Sequence, residues 1–189
     1  MILILMCIYF LVFFLLPTFR GGKSAGKNTM ISKGDDNAHD LIEFYMKVVI
    51  GLCLVAGLEQ IQPSFFNFYL FFESPYVGIY GYSLIIISMV WTGVAQWQMS
   101  NSWNIGIDQE NKTDLHNQDL FRYSRNPIFL GMIGLVLGIF IVRPIFLNLL
   151  TFILLVILTT IKVRREDVLL HRQNGPKYTD YNAQTHRWV

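Results

Sequence analysis

The chain has 189 residues, of which 53% are hydrophobic, and its formal net charge is only +2. Apolar residues are too abundant, and their runs too long, for an ordinary soluble domain, so the composition predicts a membrane protein. A charge this small gives no reason to expect nucleic acid as a partner. Five apolar runs follow one another along the chain: Ile2 to Phe19, Leu41 to Ile61, Tyr76 to Met99, Ile128 to Val142, and Ile145 to Val163.

The first run allows two interpretations. Its apolar core is short, and small residues follow it near Ser24 to Gly26, as in a secretory signal peptide. However, no Lys or Arg precedes the run, although a signal peptide normally begins with basic residues. We therefore expect a retained first transmembrane helix, followed by a mobile polar loop from Arg20 to Asp40.

The fourth and fifth runs predict a tight helical hairpin. A bilayer core needs roughly 20 apolar residues per helix, and the second, third and fifth runs are long enough alone. Pro127 can open the short fourth helix, because its missing N–H would have no partner at that position. Arg143 at the far end can extend its charged group to the membrane surface, and the turn falls at Arg143 and Pro144. We expect the fifth helix to continue as an amphipathic segment until Gly175 and Pro176 end it.

Basic residues alternate along the chain in a way that predicts its topology. They occur between the first two runs, between the third and fourth, and in the tail, whereas the segment between the second and third runs has none. The positive-inside rule then places every second connection in the cytosol. The predicted fold class is all-α: an integral membrane bundle of about five transmembrane helices, with the N-terminus outside and a C-terminal amphipathic helix in the cytosol.

We divide the chain into three parts. Residues 1–40 contain the first transmembrane helix and a cytosolic loop, residues 41–99 the second and third helices, and residues 100–189 a core. The core consists of a cytosolic connector, the helical hairpin and the tail. Within the connector, the acidic residues from Asp108 to Asp119 are typical of a solvated loop.

The segment FRYSRNPIFLG, residues 121–131, is the strongest candidate for a polar binding site. Pro127 biases Asn126 towards an extended backbone and so directs the neighbouring side chains out of any helix. Arg125 offers a planar set of donors that suits a carboxylate or a phosphate. The alternative is that the arginines of this segment contact lipid phosphates.

Three glycines follow in the fourth run. Gly134 and Gly138 form a small-xxx-small pair, which lets a neighbouring helix approach closely. Simple helix packing explains this pair about as well as a ligand does. Gly131 lies in the first turn after the polar entry and is therefore the better ligand candidate.

The fifth run ends in the cluster RRED, residues 164–167. Ionisable groups at a membrane boundary usually pair or serve a function, and Glu166 is the best single acidic candidate. Tyr178 and Tyr181 follow in the tail, one helical turn apart. The alternative is a juxtamembrane helix held at the interface by aromatic and basic side chains.

Other kinds of site find no support in the sequence. The four histidines lack the spacing and partners of metal ligands, so no metal site is predicted. Cys7 and Cys53 lie within apolar runs and read as small apolar residues. The sequence contains no phosphate-binding glycine loop, dinucleotide fingerprint or nucleophile elbow.

Taken together, these residues resemble the isoprenylcysteine carboxyl methyltransferase family and its relatives, the phospholipid N-methyltransferases. That family carries an R-H-P-x-Y-x-G segment, then a Glu-Glu pair and a G-x-x-Y-x-x-Y tail. Here the first motif corresponds to Arg125–Gly131, the second to Glu166 and Asp167, and the third to Gly175–Tyr181. A further W-R-x-G-x-D segment of the bacterial branch is matched by Trp103, Gly106 and Asp108.

The resemblance covers roughly the segment from Ser100 to Trp188. Four positions depart from its motifs. Asn104 stands in place of Arg, Asn126 of His, Phe129 of Tyr, and Asp167 of the second Glu.

The resemblance implies an enzyme that uses S-adenosylmethionine and methylates a lipid-like or small hydrophobic acceptor, such as an isoprenylcysteine-like carboxylate, an amine or a thiol, with membrane lipids as further partners. Arg125 would bind the cofactor's carboxylate and Glu166 its ammonium group or ribose hydroxyls, with aromatic side chains at the adenine or the sulfonium. The residues expected at the cofactor are Tyr123, Arg125, Asn126, Pro127, Phe129, Gly131, Glu166, Tyr178 and Tyr181. Those expected at the substrate are Trp103, Arg165 and Arg187. Both sets would face the cytosol, in a bacterial inner membrane.

Two other functions stay open at this point. The segment RREDVLLHR is similar to the tail of membrane sterol reductases, which use NADPH, although the chain is short for the additional spans of that family. The departures at Asn104, Phe129 and Asp167 instead favour a non-catalytic membrane scaffold on the same fold.

Overall fold

The computed structural model describes residues 2–12, 37–61, 70–71, 74–99 and 119–188. These residues form helices, and the β-pairing among them is a single antiparallel bridge between Leu70 and Ile145. The all-α prediction is therefore confirmed for the described part of the chain. In chain order the helices are α1 (Ile2–Phe10), α2 (Asn37–Ile61), α3 (Pro75–Met99), α4 (Leu120–Tyr123), α5 (Pro127–Val142), α6 (Phe146–Asn174) and α7 (Pro176–Gln184).

Two of the described helices are long and apolar enough to cross a bilayer. They contain the spans Tyr76–Gln98, of 23 residues, and Phe146–Arg172, of 27 residues. The helix α5 is also apolar but has only 16 residues. These lengths agree with a membrane protein, because a bilayer core corresponds to about 20 helical residues.

The predicted hairpin and its boundaries are confirmed. The helix α5 begins at Pro127 and ends at Val142, and α6 begins at Phe146. The helix α6 runs to Asn174, where Gly175 adopts a positive φ of 53° and ends it. This position favours glycine, because a side chain there would strain the backbone. Pro176 then starts α7 at a position where its missing N–H costs nothing.

The second helix begins earlier than the sequence predicts, and the first is described only in part. After α1, residues 11–12 continue as π-helix, and the rest of the first apolar run lies outside the described residues. The predicted loop from Arg20 to Asp40 was wrong at its end, because α2 already begins at Asn37. An apolar run reveals only the apolar part of a helix, so it did not indicate the polar first turn of α2.

The helices α3 and α5 pack against each other through small residues. A methyl group added at Gly131 would collide with the Thr92 hydroxyl and lie 3.2 Å from the Ser88 carbonyl oxygen. One added at Gly138 would lie 3.0 Å from the carbonyl oxygen of Gly81. The packing role predicted for the glycines of α5 is therefore present, and Gly131 takes part in it.

A buried apolar core joins α1, α2, α3, α5 and α6. The helix α1 packs on α2, and α2 packs on α6, so α2 connects α1 to the hairpin. Side chains at the centre of this core are Met6, Tyr9, Val49, Cys53, Met132, Leu135, Val136 and Leu155.

A buried ion pair closes the end of the bundle where the hairpin turns. Arg143 donates from Nε to Glu59 Oε2 at 3.0 Å and from Nη2 to Glu59 Oε1 at 2.6 Å. Glu59 is 0% exposed. Arg143 therefore pairs with a carboxylate on α2, and its extension to the membrane surface stays a prediction. The Phe71 N–H donates to the Pro144 carbonyl at 2.8 Å, so the residues before α3 also lie at this end.

Candidate functional site

Three side chains meet around the carboxylate of Asp167 at the opposite end of the bundle. Asp167 Oδ1 accepts hydrogen bonds from the Tyr178 hydroxyl and, at 3.3 Å, from Arg125 Nη1. Asp167 Oδ2 accepts a hydrogen bond of 3.0 Å from Arg187 Nε, and Arg187 Nη2 lies 2.9 Å from the same oxygen. Arg125 Nη1 also donates to the Tyr178 oxygen at 3.3 Å. We call Arg125, Asp167, Tyr178 and Arg187 the Asp167 cluster.

The hairpin and the glycine turn bring these four residues together. Arg125 precedes α5, and Asp167 lies in the last part of α6. In an antiparallel hairpin, the start of one helix and the end of the next share one end of the bundle. At Gly175 the chain turns back, so α7 lays the Tyr178 ring beside α6.

Backbone contacts fasten the tail to the turn before α5. The Arg125 N–H donates to the His186 carbonyl at 3.1 Å, and Asn126 Nδ2 donates to the Arg187 carbonyl at 3.2 Å. The Tyr181 hydroxyl donates to the Phe121 carbonyl at 2.6 Å. The FRYSRNP segment and the tail therefore form one unit rather than two independent polar surfaces.

The Asp167 cluster carries more positive charge than negative charge. Two guanidinium groups contact one carboxylate, and the Arg125 side chain is 8% exposed. Among the described residues, Arg125 Nε is a buried donor with no hydrogen-bond partner. A buried donor left unpaired costs about 1–3 kcal/mol, so the site favours an added acceptor such as a carboxylate.

Both tyrosines of α7 act as neutral hydroxyl groups. Burial raises the pKa of Tyr178 above its ordinary range, and the hydrogen bond to Asp167 and its negative charge raise it further, against the charge of Arg125. Burial also raises the pKa of Tyr181 to about 12, and the charge of Arg125 opposes this shift. Near neutral pH each tyrosine is therefore a hydrogen-bond donor, not a phenolate.

A second polar group lies on the same part of α6. Lys162 Nζ is 5.3 Å from the centre of the Phe129 ring and 4.0 Å from Glu166 Oε1. The sequence placed Glu166 opposite Arg125, but Asp167 occupies that position. Successive helical residues point about 100° apart, so only one of two adjacent carboxylates can face a given neighbour.

The other predicted site residues have different surroundings. Tyr123 is 65% exposed, Arg165 is half-buried on α6, and Gly131 lies in the contact between α3 and α5. Pro127 is buried, and its carbonyl accepts a hydrogen bond of 2.9 Å from Trp91 Nε1. Trp103 lies outside the described residues.

Sequence reasoning missed two residues with structural contacts, one beside this site and one at the opposite end of the bundle. Trp91 of α3 holds the first residue of α5, and nothing in the local sequence pattern indicated that contact. Glu59 was also missed, although a signal existed. It is a carboxylate near the end of an apolar run, and ionisable groups in such runs usually have a partner of opposite charge.

Comparison with known proteins identifies the family. The family model for phospholipid methyltransferases matches residues 76–177 of the chain. The chain belongs to the phospholipid methyltransferase family. The match includes Arg125 and Asp167 but neither α1 nor α2. No curated protein gives a significant match.

Membership of the phospholipid methyltransferase family confirms the resemblance described above at the level of the family. It makes the chain a membrane-associated protein of the methyltransferase class, in a family that generally uses S-adenosylmethionine. The assignment to the bacterial branch stays a prediction.

Proposed function

We propose that the chain is an integral-membrane methyltransferase that transfers a methyl group from S-adenosylmethionine to a lipid-like acceptor. The observation that carries this proposal is the Asp167 cluster. It joins residues of all three predicted motifs with a tail arginine at one end of the bundle.

The side chains present fit the chemistry of this cofactor. Its carboxylate suits the excess of guanidinium charge and the unpaired Nε of Arg125. Its ammonium group and ribose hydroxyls suit the carboxylates of Glu166 and Asp167. Its adenine and sulfonium suit aromatic surface, which Phe129, Tyr178 and Tyr181 offer in the same part of the molecule.

The chain's own residues act by binding and alignment. S-adenosylmethionine supplies an electrophilic methyl group on a positively charged sulfur. Methyl transfer is an in-line displacement, which depends on orientation and exclusion of water more than on acid or base groups. The contacts between the tail and the turn before α5 hold Arg125 and Arg187 in fixed positions, and thereby orient what these arginines bind.

We further propose the topology on which this function depends. The chain has about five spans, with the N-terminus outside and the Asp167 cluster in the cytosol, where a water-soluble cofactor and a lipid acceptor can meet. Residues 1–40 and 41–99 then form the N-terminal helices, and residues 100–189 the methyltransferase core. Support comes from the alternation of basic residues and from the opposite positions of the Asp167 cluster and the hairpin turn.

The decisive experiment measures cofactor binding and turnover on the same purified protein in detergent. We expect S-adenosylmethionine to bind in calorimetry, and S-adenosylhomocysteine to form when extracted membrane lipids are added. NADPH should not compete with S-adenosylmethionine for binding. Competition would instead favour a membrane reductase. Binding without turnover on any lipid fraction would favour the non-catalytic scaffold, and absence of binding would reject the proposed cofactor.

A further inference from the structure

A narrow apolar cavity lies between α1, α2, α5 and α6. The helix α5 contributes Met132 and Val136 to its wall, α2 contributes Val49 and Cys53, and α6 contributes Leu155. The wall presents only apolar surface. Water needs roughly two to four polar partners to occupy a buried site, so this cavity suits hydrocarbon instead.

The contacts of Tyr9 show where along α5 one part of the cavity lies. Its side chain lines the cavity, while its hydroxyl lies 3.4 Å from Thr92 Oγ1 on α3. The Thr92 hydroxyl lies against Gly131, only four residues after Pro127 opens α5. The cavity therefore begins close to the end of the bundle that carries the Asp167 cluster.

One face of α5 connects the cavity with the polar groups. Phe129, Met132 and Val136 are spaced by three and four residues and so lie on one side of the helix. Phe129 contacts Lys162, which pairs with Glu166. From Phe129 to Val136 the helix rises about 10 Å, which a hydrocarbon chain with its polar head near Lys162 can span.

We propose that this cavity holds the end of the hydrocarbon tail of the methyl acceptor, and that it selects acceptors by tail length. This inference rests on the proposed function and specifies its acceptor. Met6 and Met132 border the cavity, and their flexible side chains can move aside for a chain. The wall supplied by α1 and α2 lies outside the matched residues 76–177, so tail selection comes from the part of the chain that the family model does not describe.

A matched pair of valine variants on α2 tests the proposal. Val49 lines the cavity and is 3% exposed, whereas its neighbour Val48 is 39% exposed. The probe is a phosphatidylethanolamine with a photoreactive diazirine at the end of one acyl chain. We expect saturable labelling of peptides from α2 and α5, weakened about tenfold by Val49→Phe and unchanged by Val48→Phe. A phenyl ring displaces about two methylene groups, and burial of two such groups accounts for a factor of that size.

A second pair of variants, at two leucines of α6, enlarges the cavity instead of filling it. Its result therefore does not depend on overfilling the core. Leu155 is 1% exposed in the cavity wall, and Leu150 on the same helix is 38% exposed. Leu155→Ala enlarges the cavity, so acceptors with longer tails should gain about threefold to tenfold in kcat/KM relative to shorter ones. Leu150→Ala should leave this ratio unchanged.

The outcomes separate the tail site from the proposed function. Equal effects of Val49→Phe and Val48→Phe, or no change with tail length in Leu155→Ala, would overturn the tail site. Labelling that responds to Val49→Phe while the acceptor KM does not would show a bound structural lipid, which also overturns it. Calorimetry with S-adenosylmethionine on the same samples reports separately on the proposed function, because its failure would not remove saturable labelling.

Discussion

The two ends of the helical bundle each contain an arginine paired with a carboxylate, but the two sites are built differently. At the hairpin turn, Arg143 and Glu59 form one pair through two hydrogen bonds, and their charges cancel. In the Asp167 cluster, Arg125 and Arg187 share one carboxylate, and Arg125 retains an unpaired buried donor. A matched pair suits a structural role, whereas unbalanced charge with a spare donor suits binding of an anionic group.

The largest expected effect is on stability, at the hairpin turn. Arg143→Ala leaves the carboxylate of Glu59 buried without a counter-charge, which should cost about 3–5 kcal/mol in the free energy of unfolding. Denaturation in detergent measures this quantity. The double variant Glu59→Gln with Arg143→Gln should recover most of the loss, because two amides can still form a hydrogen bond. If Arg143→Ala costs less than about 1 kcal/mol, the pair behaves like an exposed one.

The next largest effect is on cofactor affinity. Arg125→Ala should weaken S-adenosylmethionine binding between about tenfold and a hundredfold, since it removes charge-assisted hydrogen bonds to the carboxylate. Asp167 keeps Arg187 and Tyr178 as partners, so stability should change little. Arg122→Ala is the matched control, because Arg122 is exposed in the same segment. Equal affinities in the two variants would remove Arg125 from the proposed site.

Substitutions of the adjacent carboxylates Asp167 and Glu166 should differ in their effects on stability. Asp167→Asn weakens the contacts to two arginines and should lower stability by about 1–3 kcal/mol as well as affinity. Glu166→Gln loses only a pair of 4.0 Å with Lys162, so stability should be unchanged while cofactor affinity falls about tenfold. Unfolding curves and calorimetry on both variants test this, and the reverse pattern would exchange the roles of the two residues.

Tyr178→Phe should have the smallest effect. It removes one hydroxyl that donates to Asp167 and receives a bond from Arg125, so cofactor affinity should fall by about threefold to tenfold. Tyr76→Phe serves as the control, since Tyr76 is 72% exposed. A larger loss than in Arg125→Ala would mean that the tyrosine, not the arginine, dominates binding.

Much of the fold was predictable because it follows from local rules. Pro127 opens α5 and Gly175 closes α6 for reasons that concern single residues and their backbone angles. The hairpin follows from two apolar runs joined by a short turn. The same hairpin places the FRYSRNP segment and the tail at one end of the bundle.

The parts that were not predictable depend on how each helix is rotated about its axis. Apolar runs surrounded by lipid show little periodicity, so the sequence could not tell whether Asp167 or Glu166 faces Arg125. The same uncertainty hid the contact between Trp91 and Pro127 and the pair between Glu59 and Arg143. Each of these contacts joins two helices that are far apart in sequence, and packing alone determines it.

The Glu59–Arg143 pair also bears on how the protein is assembled in the membrane. In the proposed orientation, insertion of the hairpin carries Arg143 through the hydrocarbon core, and a charged residue at a helix centre costs about 2.5–3.5 kcal/mol there. Glu59 precedes the hairpin in the chain, so α2 is synthesised first and its carboxylate can already be present when Arg143 arrives. The order of synthesis therefore favours packing of the hairpin, α5 and α6, onto the earlier helices α1 and α2.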